Sequence, residues 1–141
     1  MEFKDKNYDE IKRLFTMDYH MMSMVSDAIY NKNRYAYNVT FVIIEINPPC
    51  NEVCEKADTL IRQTDNFYKI NNQYCLIAYK HADFENAKLA FDNFKVGILN
   101  TLDSYRYTLV SLEDYLDIDT SKIMDILAST LSESDIVYPK K

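Results

Sequence analysis

Glycine is almost absent from this chain: Gly97 is the only one in 141 residues, and there is no tryptophan. A P-loop or a dinucleotide-binding fingerprint needs several glycines where backbone amides close on phosphate. One glycine inside a helical pattern cannot supply them, so both are excluded. Histidine is nearly as scarce, with only His20 and His81. His81 follows a strand end and precedes a helix, which makes it a loop residue. Using it to activate Cys75 would need hydrogen-bond reach and an oxyanion hole, and the sequence offers neither, which argues against a hydrolase. The cysteines, Cys50, Cys54 and Cys75, are odd in number and lack a disulfide framework. Reduced thiols in a cytoplasmic protein are expected. No apolar run approaches a membrane span, and the start, MEFKDKNYDEIKR, is charged throughout. Neither signal peptide nor anchor is expected. Basic charge is also short, 16 Lys and Arg against 22 Asp and Glu, for a net charge of −6. A broad nucleic-acid surface needs a basic face, so none is expected, although one or two arginines suffice for a small anion pocket.

What is present is a core. Apolar residues make up 48% of the chain, enough for one packed domain at this length. Ile11, Leu14, Phe15, Met21, Met22, Val25 and Ile29 recur at helical spacing over residues 8–31, with a break near Asp18. The methionines on this stripe are expected to face the core, a partner-binding stripe being the alternative. VTFVIIEI (39–46) is almost continuously β-branched and reads as a central strand covered on both faces. It ends at Asn47-Pro48-Pro49. Cys50, Val53, Cys54, Ala57, Leu60 and Ile61 then trace a helical face. Two thiols four apart could ligate a metal, but nothing completes a tetrahedral site, so a buried pair against the sheet is expected. FYKINNQYCLIAY (67–79) reads as a hairpin turning at Asn71-Asn72-Gln73, where Asn takes the positive φ such turns favour. Asp83 caps a helix bearing Phe84, Ala87, Phe91, Phe94 and Ile98. YRYTLVSL (105–112) alternates as a strand, a last helix begins after Thr120 or Ser121, and IVYP (136–139) gives a short closing strand. The acids Glu113, Asp114, Asp117 and Asp119 lack the Gly and terminal Glu of a calcium loop and read as a solvated approach to that helix. Twelve tyrosines offer surfaces for base stacking, but the acidic balance speaks against RNA.

The order of elements is a helix, then β-α-β-β-α-β, then a helix. That split arrangement predicts an α+β, ferredoxin-like fold with a central antiparallel sheet flanked by helices. The fold hosts many functions and selects none.

In order and spacing over most of its length, the chain resembles the GGDEF domain of bacterial diguanylate cyclases. The stretches that carry the resemblance are RYAYNVTFVIIEIN (34–47), LIRQTDNFYKINNQYCLIAY (60–79), ADFENAKLAFDNFKVGIL (82–99) and DTSKIMDILASTL (119–131). It implies an N-terminal helical segment over 1–33, of the kind that joins the domain to a sensor or partner, and a single GGDEF-like unit over 34–141. The family's signature falls on Asn71, Asn72, Gln73, Tyr74 and Cys75. Both glycines that close over GTP and both carboxylates are missing. Tyr74 offers no hard carboxylate oxygen for Mg²⁺. In the first strand Glu45 stands at the first metal-binding Asp and Asn47 replaces the second. Glu45 is the only remnant of the metal site, and it is as readily a strand-end residue reaching solvent. Phosphoryl transfer depends on metal positioning and charge neutralisation, so no catalysis, metal or cofactor is expected.

One family motif is retained. Arg62-Gln63-Thr64-Asp65, the only Arg-x-x-Asp in the chain, stands five residues before the turn, at the place of the family's inhibitory site. The resemblance implies a cyclic di-GMP receptor in which Arg62 holds a phosphate or stacks on guanine and Asp65 accepts from the guanine edge. A simple ion pair three residues apart is the alternative. A further basic residue would complete the site. The matching position holds Asn93, with Lys95 two residues on and Arg106 on the next strand. The rival expectation is a nucleotide-independent module for protein–protein interaction or dimerisation.

Overall fold

A computed structural model describes residues 8–49, 52–57, 60–61 and 65–140. Its elements are α1 (Tyr8–Thr16), α2 (Tyr19–Tyr35), β1 (Val39–Asn47), α3 (Glu52–Ala57), β2 (Asn66–Lys69), β3 (Tyr74–Lys80), α4 (Phe84–Gly97), β4 (Ser104–Ser111) and α5 (Thr120–Glu133). Aspartates set three helix starts, because a short carboxylate satisfies an amide that the first turn leaves open. Oδ1 of Asp18 accepts from Met21 N–H at 2.9 Å. Asp83 does the same for Asn86 and Asp119 for Lys122, both at 2.8 Å. The break expected near Asp18 is therefore the start of α2, and α5 begins one residue after Asp119.

The fold is α+β. Four strands form one sheet in the order β2-β3-β1-β4, and every neighbouring pair is antiparallel. β1 is central and buried along its whole length, as its β-branched run requires. Its alternation divides the core. Val42 and Ile44 pack with Val53 of α3 and with Ala87 and Phe91 of α4. Phe41 and Ile43 point to the other face, against Phe15 of α1, Val25 of α2 and Leu127 of α5. Each such fully buried side chain contributes roughly 1.5–3 kcal/mol relative to exposure.

Residues on both sides of the 33/34 boundary share that second core. α2 runs on to Tyr35 and stops where Ala36 turns left-handed at φ 59°, its N–H reaching Lys32 O. The closing strand expected over 136–139 is one bridge, Val137 with Tyr105. The expected thiol pair lies outside the described residues, in Cys50 and the side chain of Cys54. No helix among the described residues is long and apolar enough to cross a membrane.

Candidate functional site

The turn between β2 and β3 is wider than two residues and works differently from the expectation. Ile70 and Asn71 N–H both donate to Tyr74 O, at 3.0 and 3.2 Å. None of residues 71–73 has positive φ. Instead Oδ1 of Asn71 accepts from Gln73 N–H at 2.8 Å and Tyr74 N–H at 2.9 Å. Asn71 thus makes the turn with its side chain, while Asn71 and Asn72 stay exposed.

Beyond the turn the side chains diverge. Cys75 is buried on the α3/α4 face, while Tyr74 is buried on the opposite one. Its ring meets Phe15 edge-on at 6.1 Å between centroids. Tyr74 stands opposite Glu45 in the β1–β3 register, and Arg106 stands opposite Glu45 in the β1–β4 register. Three strands therefore bring Tyr74, Glu45 and Arg106 side by side on one face.

Nη2 of Arg106 lies 3.2 Å from Oε1 of Glu45, with the side chains 2% and 0% exposed. Nη1 reaches Ser132 O at the end of α5, at 3.4 Å, where the helix carbonyls carry partial negative charge. Burial raises the Tyr74 hydroxyl well above the ordinary tyrosine pKa. Its hydrogen bond to Glu45 and that carboxylate's charge push it further, and Arg106 opposes them.

Glu45 therefore does not reach solvent at a strand end. It is an internal anion neutralised by Arg106, which in turn is a core residue rather than a contributor to a ligand pocket. Asn47 is buried and donates to Ser104 Oγ at 3.2 Å. Among the described residues no group of three or more His, Cys, Asp or Glu is placed to hold a metal.

The second candidate site is dispersed. Arg62 lies outside the described residues. Asp65 is 7% exposed, and its Oδ1 accepts from Lys80 N–H at 2.8 Å, tying the start of β2 to the end of β3. Lys95 is elsewhere. It pairs with Asp92 at 3.0 Å and sits over the rings of Tyr107 and Phe91 at 5.1 and 5.7 Å. Its ammonium pKa is raised: burial works against the charge, but hydrogen bonds to Asp92 and Tyr107 outweigh it. Tyr107 is level with Ile44, and Ile44 with Cys75. Asp65 sits at Lys80, five residues along β3, or roughly 16 Å. The structure does not assemble Asp65 and Lys95 into one pocket. Asn93 is exposed. The Cys75–His81 pairing fails on the same measure, since His81 packs at a tilt against Tyr37, 4.2 Å between ring centroids, beyond the far end of β3.

Concavities among the described residues include one lined by Tyr79, His81, Ala82, Asn86 and Ala90 and two that flank the sheet elsewhere. One of about 170 Å³ lies between α2 and the sheet, with Asp27, Asn31, Asn66 and Lys80 in its lining. A more apolar groove of about 300 Å³ runs between α4 and β4. The Glu45–Arg106 pair is the feature that residue-by-residue reading misses. A signal for it exists: one acid and one base, each interrupting an apolar strand, call for each other once the strands pair. The chain matches no protein-family model and no curated protein.

Proposed function

We propose that this chain is a ferredoxin-like domain of GGDEF type that has lost catalysis and works by protein–protein contact. One observation carries the reading. Glu45, the residue aligned with a metal ligand, is enclosed with Arg106 and spends its charge inside the core. A carboxylate neutralised by a buried guanidinium is poorly disposed to take a divalent cation. Its neighbour at the signature, Tyr74, is a buried phenol held protonated beside it. The sheet order and the two crossover helices on one face support the fold assignment.

The cyclic di-GMP reading is weaker on geometry. Asp65 would have to offer a guanine edge a carboxylate that is buried and already accepting from Lys80. Lys95 belongs to a different end of the sheet. The contact reading therefore takes precedence.

The test is a pair of measurements on the purified chain. Incubation with GTP and Mg²⁺ is expected to give no cyclic di-GMP, and calorimetric titration with cyclic di-GMP no heat. Product formation would refute the loss of catalysis. Micromolar binding abolished by both Arg62→Ala and Asp65→Ala would establish the receptor instead.

A further inference from the structure

β4 is an edge strand, and its free side is unusually open. Tyr105 exchanges both backbone hydrogen bonds with Val137, N–H to O at 3.0 Å and 2.7 Å. That fixes which way the outer groups point. By the two-residue alternation of an antiparallel strand, the N–H and C=O of Tyr107 and Leu109 face outward as well. Among the described residues nothing pairs with them. Exposed edges are normally blunted by lysine, proline or a very short strand. The opposite edge follows that rule, since β2 has four residues and ends on Lys69. The open part of β4, Tyr107-Thr108-Leu109, contains neither charge nor proline.

Alongside this edge runs the apolar groove of about 300 Å³, lined by Phe84, Phe91, Tyr107 and Leu109, with Lys88 and Asp92 also in its wall. Lys88 is exposed and has no ion-pair partner among the described residues. Leu89 and Val96 stand out from the same helix, 65% and 73% exposed.

We infer that the β4 edge and the α4 side of its groove form the interface of a twofold homodimer, an assignment that rests on the contact reading above. The occupant follows from the charges. A partner must bring an extended strand to Tyr107 and Leu109, and to Lys88 an acid such as Asp92, which lines the same groove and pairs with Lys95 within its own helix. A second copy does both. Antiparallel pairing centred on Thr108 sets Tyr107 of each copy opposite Leu109 of the other, each pair exchanging both N–H···O bonds. The twofold axis also reverses α4, which brings Lys88 toward the second copy's Asp92 on both sides. An aromatic–aliphatic cross-strand pair and a central Thr–Thr pair are favourable matches.

The experiment is sedimentation equilibrium of the whole chain over a wide concentration range, with Lys88→Glu, Asp92→Lys and their equimolar mixture. Circular dichroism checks that both variants fold. The wild-type chain is expected to dimerise with increasing concentration. Either charge reversal alone places like charges opposite one another and weakens association at least about tenfold. The mixture restores it, because the carboxylate introduced by Lys88→Glu in one variant then meets the ammonium introduced by Asp92→Lys in the other. A chain that stays monomeric throughout, a dimer indifferent to both reversals, or a mixture no tighter than its components would each overturn the interface. Those outcomes leave the loss of catalysis untouched, whereas turnover of GTP would refute that loss and binding of cyclic di-GMP would replace the contact reading with a receptor, and neither result measures self-association.

Discussion

Replacing Arg106 with methionine puts the buried pair to its most direct test. Both side chains are essentially inaccessible and 3.2 Å apart, so the variant keeps an apolar side chain of similar length while leaving Glu45 enclosed without its cation. Arg106 also loses its bond to Ser132 O at the end of α5. Breaking a buried pair from one side costs about 3–5 kcal/mol, a large share of the roughly 5–15 kcal/mol that holds a domain together. Arg106→Met should therefore lower the urea midpoint sharply without changing the slope. Adding Glu45→Leu should recover most of the loss, since well-packed apolar residues replace a buried pair at little or no cost. The single variant should also regain stability on acidification. A carboxyl enclosed without a cation binds its proton more tightly folded than unfolded, so stability falls as pH rises through that range. A single variant costing less than about 1 kcal/mol, or a double variant no better than the single, would refute the argument.

Two further outcomes are expected. Because Tyr74 is held above the ordinary tyrosine value of 10.0 by burial first and Glu45 second, its contribution to stability is complete below about pH 10 and is lost as pH rises beyond it. Tyr74→Phe should cost about 1.5–3 kcal/mol at neutral pH and flatten the alkaline loss in thermal melts; an unchanged alkaline limb would contradict the assignment. Asp18 caps α2 and also accepts the Tyr68 hydroxyl at 2.9 Å on both oxygens, so Asp18→Ala should cost more than a lone cap, about 2 kcal/mol. Tyr68→Phe should recover nothing in that background when both are compared by urea denaturation.

The parts of the fold that are legible in sequence are those decided locally. The almost continuously β-branched run of β1 reads as a strand covered on both faces, and Asp83 announces α4 because an N-cap acts within three residues. What stays hidden is decided by pairing across the chain. Glu45 and Arg106 are 61 residues apart, and only the sheet register sets them opposite one another. Lys95 reads in sequence as a candidate ligand-binding cation because it stands two residues past Asn93, the position that the GGDEF resemblance matches to a further basic residue. Its actual partners, Asp92 and the Tyr107 ring, follow from how α4 lies on β4. Asn71 makes the expected turn by an unexpected device, since a side-chain acceptor and a positive φ leave the same mark in sequence.

The place of α1 has a mechanical consequence. Tyr8 donates to Asp125 on α5, Lys12 pairs with the same carboxylate at 3.3 Å, and Phe15 rests on Tyr74 at the head of β3. A helix seated this way cannot serve as a loose tether. A pull or twist applied at Tyr8 would load both the last helix, through Asp125, and the head of β3, through Phe15 and Tyr74.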